Sequence, residues 1–306
     1  MPLDPQFHRV VEMYKQMPAL GELPIDLIRN APKPINPDPT PVDDVHEKTI
    51  EGPGGELQLR IYRPGSAETL PLLLFMHGGG FVLGDLESHD EIARRLTAHT
   101  GCVTVSVDYR LAPEHPYPAA VDDCFAALKW AAVHAGQLAA DANRLILIGD
   151  SAGANLAAVT ALRARDENGP AVAGQVLIYP TADLTAPMQP APDGEFYILS
   201  PDTRKFFNDA YLSDPSQARL PTVSPLLADS LANLPPVLLI TAEYDPLCAQ
   251  GEALAARYEE SGVETVQTRY AGAIHGFATF PVPMRDEAVK QIADWLNARC
   301  GRPGSA

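Results

Sequence analysis

Residues 145–159 read LILIGDSAGANLAAV. An apolar run stops at Gly149, turns through Asp150 and Ser151, and resumes as an alanine-rich run. The first half suits a strand buried on both faces and the second half a helix. Gly149-Asp150-Ser151-Ala152-Gly153 fits the pattern G-x-S-x-G. In that pattern the serine sits on a strained strand-to-helix turn, with its hydroxyl exposed at the end of a parallel sheet. Glycines flank it because the tight turn leaves no room for side chains. The serine also opens a helix, where free N–H groups favour negative charge. The same residues would serve equally as an N-cap on a tight turn, so the rest of the chain must decide.

Outward from this turn the chain alternates. LQLRIYR (57–63) has period two and reads as a half-exposed strand. Residues 70–77, 102–109, 144–150, 174–180 and 237–243 are short continuous apolar runs, as expected of strands covered on both faces. Helical patterns lie between them, over 90–98, 119–134, the run after Ser151, 251–260 and 285–299. This succession predicts an α/β fold with a mostly parallel central sheet of about eight strands and helices on both faces. Three stretches stand apart. Residues 6–17 place Phe7, Val10, Val11, Tyr14 and Met17 on one helical face. Residues 32–41, PKPINPDPTP, are expected to be an extended connector, because five prolines forbid helix and central strand. Residues 181–234 hold many prolines, the aromatic pairs 196–197 and 206–207, and a short helix expected near 202–212. The expected division is therefore a cap piece over 1–44 and a catalytic domain over 45–306. The 181–234 insertion within that domain is expected to lie over the strand ends, where ligands bind in such sheets.

Bulk properties narrow the function. The 306 residues are enough for one large α/β domain or two smaller ones. A formal net charge of −16 disfavours nucleic acid and anionic membranes as partners. Cys102, Cys124, Cys248 and Cys300 have no C-x-x-C spacing and no neighbouring His cluster, so no metal site is expected. Their pattern fits a reducing, cytoplasmic setting. The opening residues do not resemble a signal peptide, and no apolar run approaches the ~20 residues that span a bilayer.

A serine hydroxyl needs a base to remove its proton. On such a turn the partners follow in the order serine, acid, histidine. Of the eight histidines only His275 follows Ser151, in the Gly-flanked stretch YAGAIHGF (270–277). Two carboxylates follow the apolar run 237–243: Glu243 near the strand end and Asp245 in the loop beyond. Asp245 is the better placed, with Glu243 left as the alternative. Acyl transfer also needs donors for the oxyanion. HGGG (77–80), directly after an apolar strand, offers backbone N–H groups at close approach, and Ala152 offers the N–H after the nucleophile.

With these pieces assembled, the chain resembles the bacterial hormone-sensitive-lipase-like esterases of the α/β-hydrolase fold. The matching stretches are HGGGFVLGDLESHD (77–90), DYRLAPEHPYPAA (108–120), GDSAGANLA (149–157), EYDPL (243–247) and HGF (275–277), in the expected order. The resemblance implies a triad of Ser151, Asp245 and His275 and an oxyanion hole of Gly79, Gly80 and Ala152. It also implies support of the oxyanion loop by His77, Tyr109 and Arg110, and a cap built from the N-terminal helices and 181–234. The GDSAG form places the chain in one of the family's two main subgroups. Cys248-Ala249-Gln250 departs from the acidic residues often found after D-P-L. Phe81, Val82, Leu83, Phe206, Phe207 and Ile274 are expected to line the substrate pocket. The expected function is a cofactor-free serine carboxylesterase, monomeric or homodimeric, acting on short- to medium-chain acyl esters. An amidase or deacetylase on the same triad is the alternative. A non-enzymatic ligand receptor is less consistent with a chain that keeps all three triad residues, and its length excludes a peptidase with a large gating domain.

Overall fold

In the computed structural model, which describes residues 2–18, 20–31, 36, 38–66 and 68–301, the continuous apolar runs become the inner strands of one eight-stranded sheet. The chain begins with helices α1 (His8–Lys15) and α2 (Ile25–Arg29) and the hairpin β1 (Asp44–Gly52) and β2 (Gly55–Arg63). There follow β3 (Leu70–Met76), α3 (Asp90–Thr100), β4 (Val103–Asp108), α4 (Ala119–His134), β5 (Ala140–Asp150) and α5 (Ala152–Asp166). The last part holds β6 (Gly174–Ile178), α6 (Pro201–Tyr211), β7 (Val237–Tyr244), α7 (Cys248–Glu260), β8 (Thr265–Ile274) and α8 (Pro283–Cys300). The strand order is β1-β2-β4-β3-β5-β6-β7-β8. β2 runs antiparallel to both β1 and β4, and every pair from β4 to β8 is parallel.

The two-residue period of a strand sorts each apolar run into two cores. Leu72, Leu74, Leu145, Leu147 and Leu239 point to one face, where α4, α5 and α7 cover them with Leu128, Leu156 and Leu254. Leu73, Phe75, Ile146, Ile148 and Ile240 point to the other, under Ile92 and Leu96 of α3 and Val289 and Ile292 of α8. Phe7 and Val11 from the N-terminal segment join this second core. That packing accounts for the apolar face of residues 6–17, although the first turn, Pro5–Phe7, is a 3-10 helix.

Two differences from expectation have simple causes. β1 is absent from the apolar pattern because it is an edge strand, mostly solvent-exposed, with only Ile50 fully buried. α2 has one turn and a half and no fully buried residue, so it leaves no periodic signal. Of the proline-rich connector, residues 32–35 and 37 lie outside the described residues. Its end is held by Glu91, whose carboxylate accepts the Thr40 backbone N–H at 3.1 Å and hydroxyl at 2.8 Å.

The 181–234 stretch is tied to the sheet at its base. Asn155 on α5, fully buried, donates to the carbonyls of Thr181 (2.7 Å) and Val223 (2.8 Å). Gln250 accepts the N–H groups of Ala182 and Asp183 at 2.7 and 2.8 Å. The residue that breaks the acidic pattern after D-P-L thus caps an incoming loop. Within the stretch, Ser200 caps α6 by accepting the Thr203 N–H, with Pro201 at the first helical position. Among the described residues no helix is long and apolar enough to cross a membrane.

Candidate active site

Ser151 is the hinge between β5 and α5. Its backbone lies at φ 54°, ψ −117°, a strained conformation for a residue with a side chain. Such strain costs about 1–3 kcal/mol and persists only where the surroundings impose it. Here the Ser151 N–H donates to Ile178 on β6 at 2.8 Å, and its carbonyl accepts from Asn155 at 3.1 Å. The flanking glycines are dictated by contact. A Cβ on Gly153 would strike the carbonyl oxygens of Met76 and His77, and one on Gly149 those of Gly153 and Met76. The start of α5 therefore lies directly against the end of β3, and only hydrogen fits between them.

Three strands bring the residues expected to form a triad together at their carboxyl ends. Ser151 follows β5, Asp245 follows β7 and His275 follows β8. Ser151 Oγ lies 2.9 Å from His275 Nε2, and His275 Nδ1 lies 2.7 Å from Asp245 Oδ2. The other oxygen, Asp245 Oδ1, accepts the Leu247 N–H at 2.8 Å. A bulge in the β7–β8 pairing, between Ala242 and Tyr244, precedes His275 and bends β8 before the loop turns back toward Ser151. Asp245 and His275 are both buried. Burial opposes a charge on His275, but the Asp245 carboxylate and its hydrogen bond, with Asp150 farther off, outweigh it and hold the imidazole above its ordinary value. Glu243 faces elsewhere and accepts the Gly272 N–H at 2.7 Å.

The glycine loop after β3 lies beside the serine. Gly79 and Gly80 both have positive φ, 122° and 64°. A Cβ on Gly79 would strike the Leu83 carbonyl, and one on Gly80 the Phe207 ring. The Gly78 N–H is taken by Asp150 Oδ1 at 2.8 Å. Gly79 and Gly80 donate to no acceptor among the described residues, and Ala152, the first residue of α5, has no intrahelical partner. Burial acts to raise the Asp150 carboxyl, but His89, 3.6 Å away, with His77 and the Gly78 N–H, holds it below the ordinary carboxylate range. The resemblance assigned support of this loop to His77, Tyr109 and Arg110. Tyr109 stacks on His77 at 4.2 Å and donates to the His77 carbonyl at 2.7 Å. Arg110 faces away and pairs with Asp123 on α4.

A cavity of about 770 Å³ opens over Ser151 and His275. Its floor carries Gly78, Gly79, Gly80, Asp150 and Tyr179. Its walls come from the N-terminal segment (Val11, Tyr14, Ile28), from the insertion (Phe196, Tyr197, Ile198, Phe207) and from Phe280. Of the six residues expected to line the pocket, Phe81, Leu83 and Phe207 do so. Val82, Phe206 and Ile274 do not. Val82 is fully buried in the α4–α5 core, since neighbouring loop residues cannot all face the same way. Ile274 ends β8 with its side chain inside the opposite core. Phe206 and Phe207 are adjacent on a helix, about 100° apart by the 3.6-residue turn, so only one can face the cavity; Phe206 instead packs near Gly21. The reading missed Tyr179, His89, Tyr197 and Phe280. Tyr179 was open to detection, because it ends an apolar run pointing at the same sheet edge as Ser151.

This arrangement has counterparts in known proteins. The family described as alpha/beta hydrolase fold matches residues 73–279. An arylesterase of Saccharolobus solfataricus is 37% identical over 303 residues, covering 94% of this chain and 96% of that one. The carboxylic ester hydrolase LipN of Mycobacterium tuberculosis is 43% identical over 245 residues; the match covers 76% of this chain and 64%, just under two thirds, of that protein. Among solved structures, a hyperthermophilic esterase from the archaeon Pyrobaculum calidifontis superposes with a TM-score of 0.90 at 41% identity, covering 98% and 100% of the two chains.

Proposed function

This chain belongs to the hormone-sensitive-lipase-like carboxylesterases of the α/β-hydrolase fold, and from that premise we propose that it hydrolyses short- to medium-chain acyl esters through an acyl-enzyme on Ser151. The observation that carries the reading is the chain of contacts Ser151 Oγ, His275 and Asp245, at 2.9 and 2.7 Å, under a cavity floored by Gly79 and Gly80, whose N–H groups donate to no acceptor among the described residues.

The steps follow from those atoms. His275 Nε2 takes the proton of Ser151 as Oγ attacks the ester carbonyl carbon. The carbonyl π electrons move onto oxygen, and the Gly79, Gly80 and Ala152 N–H groups stabilise that oxyanion. Asp245 holds the imidazole with Nδ1 protonated, leaving Nε2 free to accept, and stabilises the imidazolium. The oxyanion collapses, the C–O bond to the alcohol breaks, and Nε2–H protonates the departing oxygen. Water then repeats the sequence: His275 takes its proton, hydroxide adds to the acyl carbon, and Ser151 leaves with the proton returned. The products are one alcohol and one carboxylic acid, with no cofactor required.

The cavity volume lies in the usual range for small-molecule sites, about 300–1,000 Å³, and its walls are largely aromatic and aliphatic. This favours compact esters over long-chain glycerides. We assign the cap role to residues 1–44 and 181–234, because both contribute walls to that cavity. Four free cysteines, two of them buried, support a reducing cytoplasmic setting. The test is a series of aryl esters of graded acyl length with matched amides. Rates are expected to peak between about C2 and C8 and to vanish in Ser151→Ala. A peak at C14 or longer, or amides cleaved as fast as esters, would refute it.

A further inference from the structure

Arg29 makes a polar contact between the N-terminal cap and the back of the glycine loop. Arg29, the last residue of α2, sends its Nε to the Val82 carbonyl at 2.9 Å and its Nη2 to the Ala112 carbonyl at 2.5 Å. Its Nη1 pairs with Glu114 at 2.8 Å. Val82 belongs to the turn that presents the oxyanion donors, for the N–H groups of Val82 and Leu83 both return to the Gly79 carbonyl, at 3.2 and 2.8 Å. Ala112 belongs to the neighbouring loop and donates its own N–H to Phe81 at 2.9 Å. One planar guanidinium thus bridges the carbonyls of two adjoining loops that are already joined by a single backbone bond. The preceding residue, Ile28, forms part of the cavity wall.

The glycine loop needs this support. Its inner end is fixed by Asp150 and Tyr109, through Gly78 and His77. Its outer end is made of Gly79 and Gly80 at positive φ, followed by Phe81 at φ 64°. The two glycines have little intrinsic preference to hold one geometry, and Phe81 sits in one that a bulky residue disfavours. An oxyanion donor works only while it is aimed at the developing charge.

We propose that Arg29 is a positioning residue: it clamps the N-terminal cap to the back of the glycine loop and so holds the Gly79 and Gly80 N–H groups on the oxyanion. The proposal rests on the ester-hydrolase reading above. It makes cap docking and transition-state stabilisation one event, whereas a roof that only shapes the cavity would act on substrate binding alone.

The test compares Arg29→Ala, Arg29→Lys and Glu114→Gln in the full chain, using an acetate aryl ester and a trifluoromethyl ketone. The ketone adds to Ser151 and places its oxyanion in the hole. A misplacement of about 1 Å costs about 10²-fold. Arg29→Ala is therefore expected to lower kcat by about 10- to 100-fold, to weaken the ketone by a similar factor, and to leave KM within about threefold. Arg29→Lys should fall between, since an ammonium cannot fork to both carbonyls. It also decides the matter if Arg29→Ala proves unstable. Glu114→Gln keeps both carbonyl contacts and should stay within about twofold, as for an exposed ion pair. Wild-type kcat and ketone affinity in both Arg29 variants, or a loss confined to KM, would overturn the proposal. Wild type and Ser151→Ala measured alongside separate that result from failure of the ester reading itself.

Discussion

Replacing Asp245 with Asn alters one atom of the proposed triad and reverses the polarity of its key hydrogen bond. In the native site Oδ1 accepts the Leu247 N–H at 2.8 Å while Oδ2 faces His275 Nδ1 at 2.7 Å. An amide has one acceptor oxygen and one donor nitrogen. The Leu247 N–H requires the oxygen, so the NH₂ group must face Nδ1. Nδ1 then becomes the acceptor and the ring proton moves to Nε2, where it points at Ser151 Oγ, 2.9 Å away. A base with its proton already on the accepting nitrogen cannot take another. In a serine protease the equivalent change lowers kcat by about 10⁴. The same reversal here predicts a loss of about 10³–10⁴ in kcat, or about 4–5.5 kcal/mol of barrier. The variant also loses the carboxylate that holds the imidazole above its ordinary value, leaving burial to push it down. The acid limb of any residual activity should therefore move to lower pH. The assay is kcat and kcat/KM for one aryl ester across pH 5–9, with matching thermal melts. Glu243→Gln, which disturbs the contact to Gly272 away from His275, should cost less than about tenfold. Near-wild-type turnover in Asp245→Asn, or the larger loss in Glu243→Gln, would refute the assignment.

Three further outcomes are expected. For the wild type, kcat/KM should rise with pH, since neutral His275 is the working form; its midpoint should lie above the ordinary imidazole value of about 6.5, because Asp245 stabilises the imidazolium more than burial opposes it. A midpoint below 6 would contradict this. Removing residues 1–30 strips Phe7 and Val11 from the second core, Val11, Tyr14 and Ile28 from the cavity wall, and Arg29 from the glycine loop, so melting temperature and kcat should fall and KM should rise, as differential scanning fluorimetry and kinetics would read. Phe207→Ala should broaden acyl preference on the graded ester series, while Phe206→Ala, away from the cavity, should affect stability and leave that profile unchanged.

The inner strands were readable because burial on both faces leaves unbroken apolar runs, as in Leu70–Met76. Ser151, Asp245 and His275 were readable because chain order and strand ends restrict the choice: one histidine follows the serine, and of two carboxylates only Asp245 lies past the strand. What was hidden depends on direction in space. Nothing local distinguishes Phe206 from Phe207, or Val82 from its neighbours Phe81 and Leu83; the face each takes is set by the helix and loop that carry it. Edge strand β1 was hidden because its exposed residues, in DVHEKTIEG, have no pattern to keep. The Arg29 clamp was hidden for a further reason. Its acceptors are main-chain carbonyls, 53 and 83 residues away, and a carbonyl has no letter of its own in a sequence.

β8 is the last strand of the sheet, paired on one side only. Yet it delivers the proposed base to a serine three strands away, about 14 Å at the usual spacing of 4.8 Å. Edge elements open at lower free energy than central ones. Heating should therefore silence the enzyme while its spectroscopic signature is still native, as β8 and its loop loosen and His275 loses contact with Ser151. Turnover would then serve as an early thermometer for one border of the molecule. Heat tolerance of catalysis would be raised most by fastening β8 to β7 and α8, with little gained from further strengthening a centre that has not yet begun to yield.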